Sequence, residues 1–154
     1  MWKNMASNKY PDIILHDCFI TEIKMDNDNI VLNFSEYGFF VFDKEKGNSF
    51  RTNGAQIVIE GCVVDDISIE EERMQKLGED VFYKTLYEIK TSDFFKNVNS
   101  KKWSLEIVEE FYAGGSGYFT GMIGTKDDRF WCHIKIYFKN LVYLWNDVCY
   151  DKPF

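Results

Sequence analysis

The strongest constraint on the fold lies in the last third of the sequence. Four segments of alternating apolar and polar residues, at 103–112, 118–124, 130–138 and 141–146, are separated by short turns. Successive side chains of a strand point to opposite faces, so a one-residue slip in pairing would exchange the faces of a whole segment. The apolar pattern therefore selects a register. Opposing Tyr112 to Tyr118 closes a loop over 113–117, and opposing Thr125 to Phe130 closes one over 126–129. Opposing Phe138 to Leu141 leaves Lys139-Asn140 as a two-residue turn, where Asn tolerates positive φ.

In that register one face collects Trp103, Leu105, Ile107, Phe111, Phe119, Ile123, Phe130, Cys132, Ile134, Ile136, Phe138, Leu141, Tyr143 and Trp145. This is the expected core face, and Glu109, opposite Gly121, is its one misfit. The other face carries Tyr118, Trp131, His133 and Tyr137 together with Glu106, Glu110, Tyr112, Thr120, Met122 and Lys135. Two readings of it compete. Another layer covers it, the usual fate of an aromatic stripe, or it is an exposed aromatic patch rimmed by charge, which marks interaction sites.

Upstream, residues 18–25 and 30–35 alternate about the turn Asp26-Asn27-Asp28-Asn29, which reads as a hairpin pairing Met25 with Ile30. A strand is expected over 39–42, a polar mobile loop over 43–54, and a strand over 55–64 with Gly61 as a bulge. Ser68-Ile69-Glu70-Glu71 fits a capping box and predicts a short helix over 69–77 ending at Gly78, the rival being a long polar hairpin tip. Residues 81–89 return to strand alternation, and Ser92 or Asp93 is placed to cap a helix over 94–98.

With 154 residues, 45% of them hydrophobic, and no linker or repeat, the chain reads as one domain with a substantial core. The expected class is mainly β, with α+β the alternative: antiparallel sheets in a two-layer sandwich or a strongly curved sheet, with one or two short helices. A net charge of −7 opposes nucleic-acid binding and suits a basic partner. The first residues lack a signal-peptide pattern, nothing approaches a membrane span, and the four cysteines are scattered, so a cytoplasmic protein off the membrane is expected.

Candidate chemistry is thin. His16-Asp17 suggests metal phosphohydrolases, but two histidines in the chain are too few for such a site. Cys132-His133 places neighbouring side chains on opposite faces, so they do not share a metal. Asp26-Asn27-Asp28 opens like a calcium loop without its later Gly and Glu. Gly114-Gly115-Ser116-Gly117 lacks the Lys and helix of a phosphate-binding loop and reads as a hairpin tip. Glu106 and Glu110, four apart on one strand face, lie too far apart for a coupled pair, and a solvated edge is expected for Glu110. No cofactor and no metal are implied. The acidic run Asp65-Asp66, Glu70-Glu71-Glu72 and Glu79-Asp80 is a solvated surface or a contact for a basic protein.

Leu15-His16-Asp17-Cys18, followed by Ile20, Ile23 and the paired strand over 30–34, resembles small bacterial β-rich proteins, some of them immunity factors that neutralise toxins. The likeness covers the first forty residues and transfers no site residues. It implies a non-enzymatic protein-binding module acting by occlusion, with a basic toxin as partner. Tyr118, Trp131, His133 and Tyr137 are the expected anchors, and Asp65, Asp66, Glu70 and Glu71 the alternative contact. A carbohydrate or small-ligand binder using the same aromatic face is the runner-up, and a hydrolase with an unlocated carboxylate cluster the third reading.

Overall fold

The structure, a computed structural model, describes residues 1–8, 12–77 and 79–154, with strand pairing but no side chains over 72–84. In chain order the elements are β1 (Asn4–Ser7), β2 (Ile13–Ile14), β3 (Cys18–Asp26), β4 (Asn29–Phe34), β5 (Phe40–Asp43), β6 (Asn48–Glu60), β7 (Val63–Leu77) and β8 (Glu79–Glu88). They continue with α1 (Thr91–Asn99), β9 (Ser104–Ala113), β10 (Ser116–Gly124), β11 (Arg129–Tyr137) and β12 (Asn140–Pro153). All pairings are antiparallel, in a single sheet ordered β1-β12-β6-β4-β3-β9-β10-β11-β7-β8, with β5 bridging β6 to β2. The sheet is not closed; β1 and β8 are its ends. The chain is mainly β, as its alternation demands, and no helix among the described residues is long and apolar enough to cross a membrane.

The sheet is strongly curved, and its connections show why. Only Gly61-Cys62 joins β6 to β7, and only Phe138-Lys139 joins β11 to β12. Two linking residues span at most ~11 Å, whereas six places in a flat sheet span ~29 Å. The sheet must curl until these strands meet end to end. The register carries straight through the bend: Leu141 faces Ile59 on one side and Tyr137 faces Val63 on the other. Gly61 turns the corner at φ +57°, where a side chain would be strained. Its N–H donates to Asn29 Oδ1 (3.1 Å), the Cys62 N–H to the Asp28 carbonyl (2.6 Å) and the Lys139 N–H to the Glu60 carbonyl (2.8 Å), so the bent backbone stays satisfied. Corners of this kind let a long ribbon serve both halves of a folded-over sheet.

The concave side holds the core. Cys18, Leu105, Ile123, Cys132 and Phe94 lie there at 0 to 1% exposure, with Leu15, Ile67, Leu141 and Tyr143. Helix α1 packs on this side against β3 and β7, four places apart in the sheet. Phe94 and Val98, one helical turn apart, are the residues it buries. Asn99 then ties the helix end to β3, accepting the Ile23 N–H and donating to the Ile23 carbonyl, both at 2.8 Å.

Several expectations are corrected here. Residues 69–77 form strand rather than helix: Ser68 pairs with His133 and Glu88, and its hydroxyl donates to Asp66 (2.5 Å) instead of capping a turn. Pairing with β11 as far as Ile69, and with β8 from Ser68 through Leu77, outweighs a local capping signal. Gly78, the expected helix end, lies outside the described residues. The helix over 91–99 starts from Lys90 without a side-chain cap, so neither Ser92 nor Asp93 serves as one. The expected loop over 43–54 is a tight turn: Asp43 Oδ1 accepts the N–H groups of Glu45 and Lys46, Gly47 takes positive φ, and β6 begins at Asn48. Finally, β12 does not pair with β11 through a turn at Lys139-Asn140. It pairs with β6 and β1, while β7 takes the place beside β11.

Bulges in β9 and β3 shift the faces. In β9, Thr120 faces Glu109 but Gly121 faces Ile107, so Val108 is an extra residue. Its effect removes the misfit of Glu109: beyond the bulge, Glu109 and Phe111 turn outward, and Glu110 and Tyr112 turn toward the core. Phe111, expected in the core, is 55% exposed. In β3, Ile20 faces Phe34 and Glu22 faces Asn33, leaving Thr21 as the extra residue, whose hydroxyl bonds the Asn33 carbonyl at 3.1 Å. Ile20 and Cys18 thereby join the buried set.

Candidate functional site

The convex face of β9, β10, β11 and β7 is the candidate site. No described element packs over it, since α1 sits on the concave side. Registers place its side chains in rows across the strands. Phe111, Tyr118, Lys135 and Asp66 form one row; Glu109, Thr120, His133 and Ser68 form the next. Glu106, Met122 and Trp131 follow, with Glu70 beside them on β7. Tyr137 faces Val63 at the end nearest the corner. The β10–β11 register differs by two residues from the expected one, with Gly124 opposite Arg129. An even shift preserves faces, so Trp131, His133 and Tyr137 lie opposite Cys132 as the pattern requires.

The four expected anchors share this face, but not equally. Tyr118 and Tyr137 are exposed, while Trp131 and His133 are half-buried. A row of rings crosses the strands: Phe111 and Tyr118 centroids are 6.3 Å apart, and Tyr118 and His133 stack at 6.0 Å with planes 24° apart. A hydrogen-bonded chain runs through it. Tyr118 Oη lies 2.6 Å from His133 Nδ1, and His133 Nε2 lies 3.4 Å from Glu70 Oε2. The carboxylate only accepts, so in the neutral ring Nε2 carries the proton and Nδ1 accepts from the tyrosine hydroxyl. Burial, and then the charges of Asp66, Glu109 and Glu70, push the Tyr118 phenol above its ordinary range. Tyr118 thus keeps its proton and donates it to His133 Nδ1.

Part of the acidic run, Asp65, Asp66 and Glu70, shares a surface with the aromatic face, although the sequence presents the two as alternative contacts. This follows from β7 pairing with β11. Asp66 sits opposite Lys135, and Asp65, the extra residue of a bulge in β7, reaches Lys135 Nζ at 2.7 Å. That hydrogen bond is the main cause raising the lysine's pKa. Lys135 also lies 5.4 Å from the Tyr137 ring. Glu70 joins the relay, whereas Glu71 falls on the other side of β7 and is exposed. The side chains of Glu72, Glu79 and Asp80 lie outside the described residues. Among the described residues of the face, the carboxylates Glu106, Glu109, Asp65, Asp66 and Glu70 stand beside the cations Lys135 and Arg129, the latter 3.5 Å from Glu106. Phe111 and Glu109 are the members the alternation pattern misassigned; the misfit of Glu109 was itself the signal of the bulge.

The face ends in a groove of about 770 Å³ between the β10–β11 turn and the start of the β7–β8 arm, lined by Ile69, Glu70, Glu71, Tyr87, Met122, Asp128, Arg129, Phe130 and Trp131 among the described residues.

A second polar cluster lies elsewhere and has a structural role. Glu110, expected at a solvated edge, is turned inward by the β9 bulge and accepts the Leu15 N–H at 2.9 Å. Burial holds its carboxyl above the ordinary range, against the opposing effects of that bond and of His16. His16 Nδ1 donates to the Val108 carbonyl at 2.5 Å, and Arg51 donates to the Asp17 carbonyl at 3.1 Å. Together these fix residues 15–17 across the bulge. Burial pushes the Cys18 thiol to about 12, so it is no nucleophile at neutral pH. Among the described residues no three His, Cys, Asp or Glu side chains converge as a metal site.

No family model matches the chain, and neither a curated protein nor a solved structure shows detectable similarity to it.

Proposed function

We propose that the chain is a non-enzymatic protein-binding module that occludes a basic partner, in the manner of an immunity protein blocking a toxin. The observation that carries this reading is the row of exposed Phe111 and Tyr118 and half-buried His133, set among carboxylates of β9 and β7. Aromatic anchors within a charged rim are the usual energetic centre of a protein interface. Carboxylates beside such anchors favour a basic surface and speed its approach. The compartment in this reading is the cytoplasm, where the partner would be met before it acts.

The test is co-expression with the products of neighbouring reading frames. A toxin-like neighbour should co-purify with the chain at a fixed ratio, and cells carrying both should survive. The double variant Tyr118→Ala, Tyr137→Ala should lose both properties while keeping its fold. Partner capture unchanged in that variant would sink the assignment to this face. A small neutral ligand such as a sugar is the second reading, favoured by the size of the groove beside Trp131.

A further inference from the structure

The sheet ends in an edge that nothing finishes. β7 pairs with β11 only as far as Ile69, yet β7 and β8 go on pairing with each other from Ser68–Glu88 to Leu77–Glu79 without a shift of register. A two-stranded arm therefore leaves the sheet, and a two-stranded ribbon on its own is marginal in water. Its β7 edge beyond Ile69 borders the groove beside the β10–β11 turn. No described residue pairs with its β8 edge, where the sheet stops. Which backbone groups that edge offers follows from one hydrogen bond. The Ile89 N–H donates to the Ile67 carbonyl at 2.8 Å, in register with the Ser68–Glu88 pair. In an antiparallel pair, bonded and unbonded positions alternate. Odd-numbered residues of β8 thus direct their N–H and C=O groups toward β7, and Asp80, Phe82, Lys84, Leu86 and Glu88 direct theirs outward.

Sheet edges are commonly blunted by proline, by bulges or by brevity. β8 has ten residues, no proline or glycine, and no bulge against β7. Such an edge accepts a further strand through main-chain hydrogen bonds. A second copy supplies a strand with the same free positions, and a two-fold axis makes each edge the complement of the other. Outward groups must meet outward groups, so even-numbered residues pair with even-numbered ones. Of the registers that overlap most of β8, only the one centred on Phe82 sets Asp80 of each copy opposite Lys84 of the other. The register centred on Lys84 sets Lys84 against itself and Asp80 against Glu88, and those centred on Tyr83 and Thr85 leave Lys84 opposite Phe82 or Leu86. Opposite charges across a strand pair are favourable and like charges are not. We infer that the chain forms a symmetric dimer in which β8 pairs antiparallel with β8 of a second copy, centred on Phe82. The dimer makes no use of the convex face and stands apart from the binding role proposed for it.

Sedimentation equilibrium of the full chain should give a dimer that dissociates on dilution. Lys84→Asp and Asp80→Lys, made separately, should each weaken it at least tenfold, because each sets two like-charge pairs across the seam. An equimolar mixture of the two variants should dimerise again, as a heterodimer with both pairs restored, and circular dichroism should match the wild type in each. Amide exchange followed by NMR reads the backbone side. The Phe82 and Lys84 N–H groups should be protected in the concentrated dimer and lose most of that protection on dilution, while Tyr83, whose N–H faces β7, changes much less. A monomer up to millimolar concentration would overturn the inference. So would a dimer indifferent to both variants, a mixture no better than either variant alone, or Phe82 and Lys84 exchange that ignores concentration. The double variant Tyr118→Ala, Tyr137→Ala should dimerise as the wild type does; loss of the dimer there would move the seam to the convex face and away from β8.

Discussion

The two faces of β9, β10 and β11 are made by the same strands, residue by residue in alternation, yet they differ in exposure and in charge. On the concave side, Leu105, Ile123 and Cys132 are at 0% exposure, and Gly121 leaves room for nothing larger. On the convex side, Phe111, Tyr118 and Tyr137 are 37 to 55% exposed and stand among carboxylates. Packing explains the first face completely. It does not explain the second, where large rings lie in water at the cost of unburied apolar surface. That contrast is the ground for proposing the convex face as the binding surface.

The contrast can be broken by substitution, and the largest effect belongs to the core. Leu105→Ala should cost about 2–5 kcal/mol in urea unfolding, from lost burial and the cavity left behind. A loss below about 1 kcal/mol would mean that the concave face is not packed. Gly121→Val comes next. A Cβ there lies 2.8 Å from the Glu106 carbonyl and 3.1 Å from Cys132 Sγ, so an overpacking loss of about 1–3 kcal/mol is expected. Wild-type stability at either level would place Gly121 elsewhere.

Glu110→Gln sharpens the comparison through pH. Burial raises the Glu110 carboxyl above its ordinary 4.5, so the fold favours the protonated form. Its stabilising effect is complete below 4.5 and is lost as pH rises through the higher folded value. The glutamine keeps an acceptor for the Leu15 N–H and has no charge to bury. The variant should therefore gain on the wild type as pH climbs from 4.5 toward neutrality, with no gain at lower pH; a gain confined to acid would reverse the assignment. The smallest effect is reserved for the convex face. Phe111→Ala, on the same strand as Leu105, should change stability by only about 0.5 kcal/mol, as exposed positions do. A core-sized loss would restore Phe111 to the interior and remove the β9 bulge from the account.

How much of this was legible in the sequence follows from what each residue can report. Alternation gave the strands and set Cys132 and Ile134 apart from Trp131, His133 and Tyr137, because periodicity is local. The β3 and β9 bulges were not visible as such, since each adds one residue and reverses the faces beyond it; only the awkward position of Glu109 registered the event. The partner of β12 was illegible for a different reason. A strand pattern states which face is buried but not which neighbour buries it, so Leu141 and Tyr143 were correctly assigned to the core through the wrong hairpin. The acidic run could be seen, but the union of Asp65, Asp66 and Glu70 with the aromatic face depends on β7 crossing the bend at Gly61 to reach β11. A corner made by one glycine between two strand-like runs reads as a bulge until the second sheet edge is known.

The most direct measurement is of exposure across the strands. Fluorine NMR of the chain labelled with 3-fluorotyrosine, its resonances assigned by Tyr→Phe variants, would be recorded with a soluble paramagnetic chelate. Tyr143, at 1% exposure, should stay sharp, while Tyr118 at 37% and Tyr137 at 44% should broaden strongly. Tyr118 and Tyr137 shielded as well as Tyr143 would show the convex face to be covered, and the binding surface argued from it would not exist.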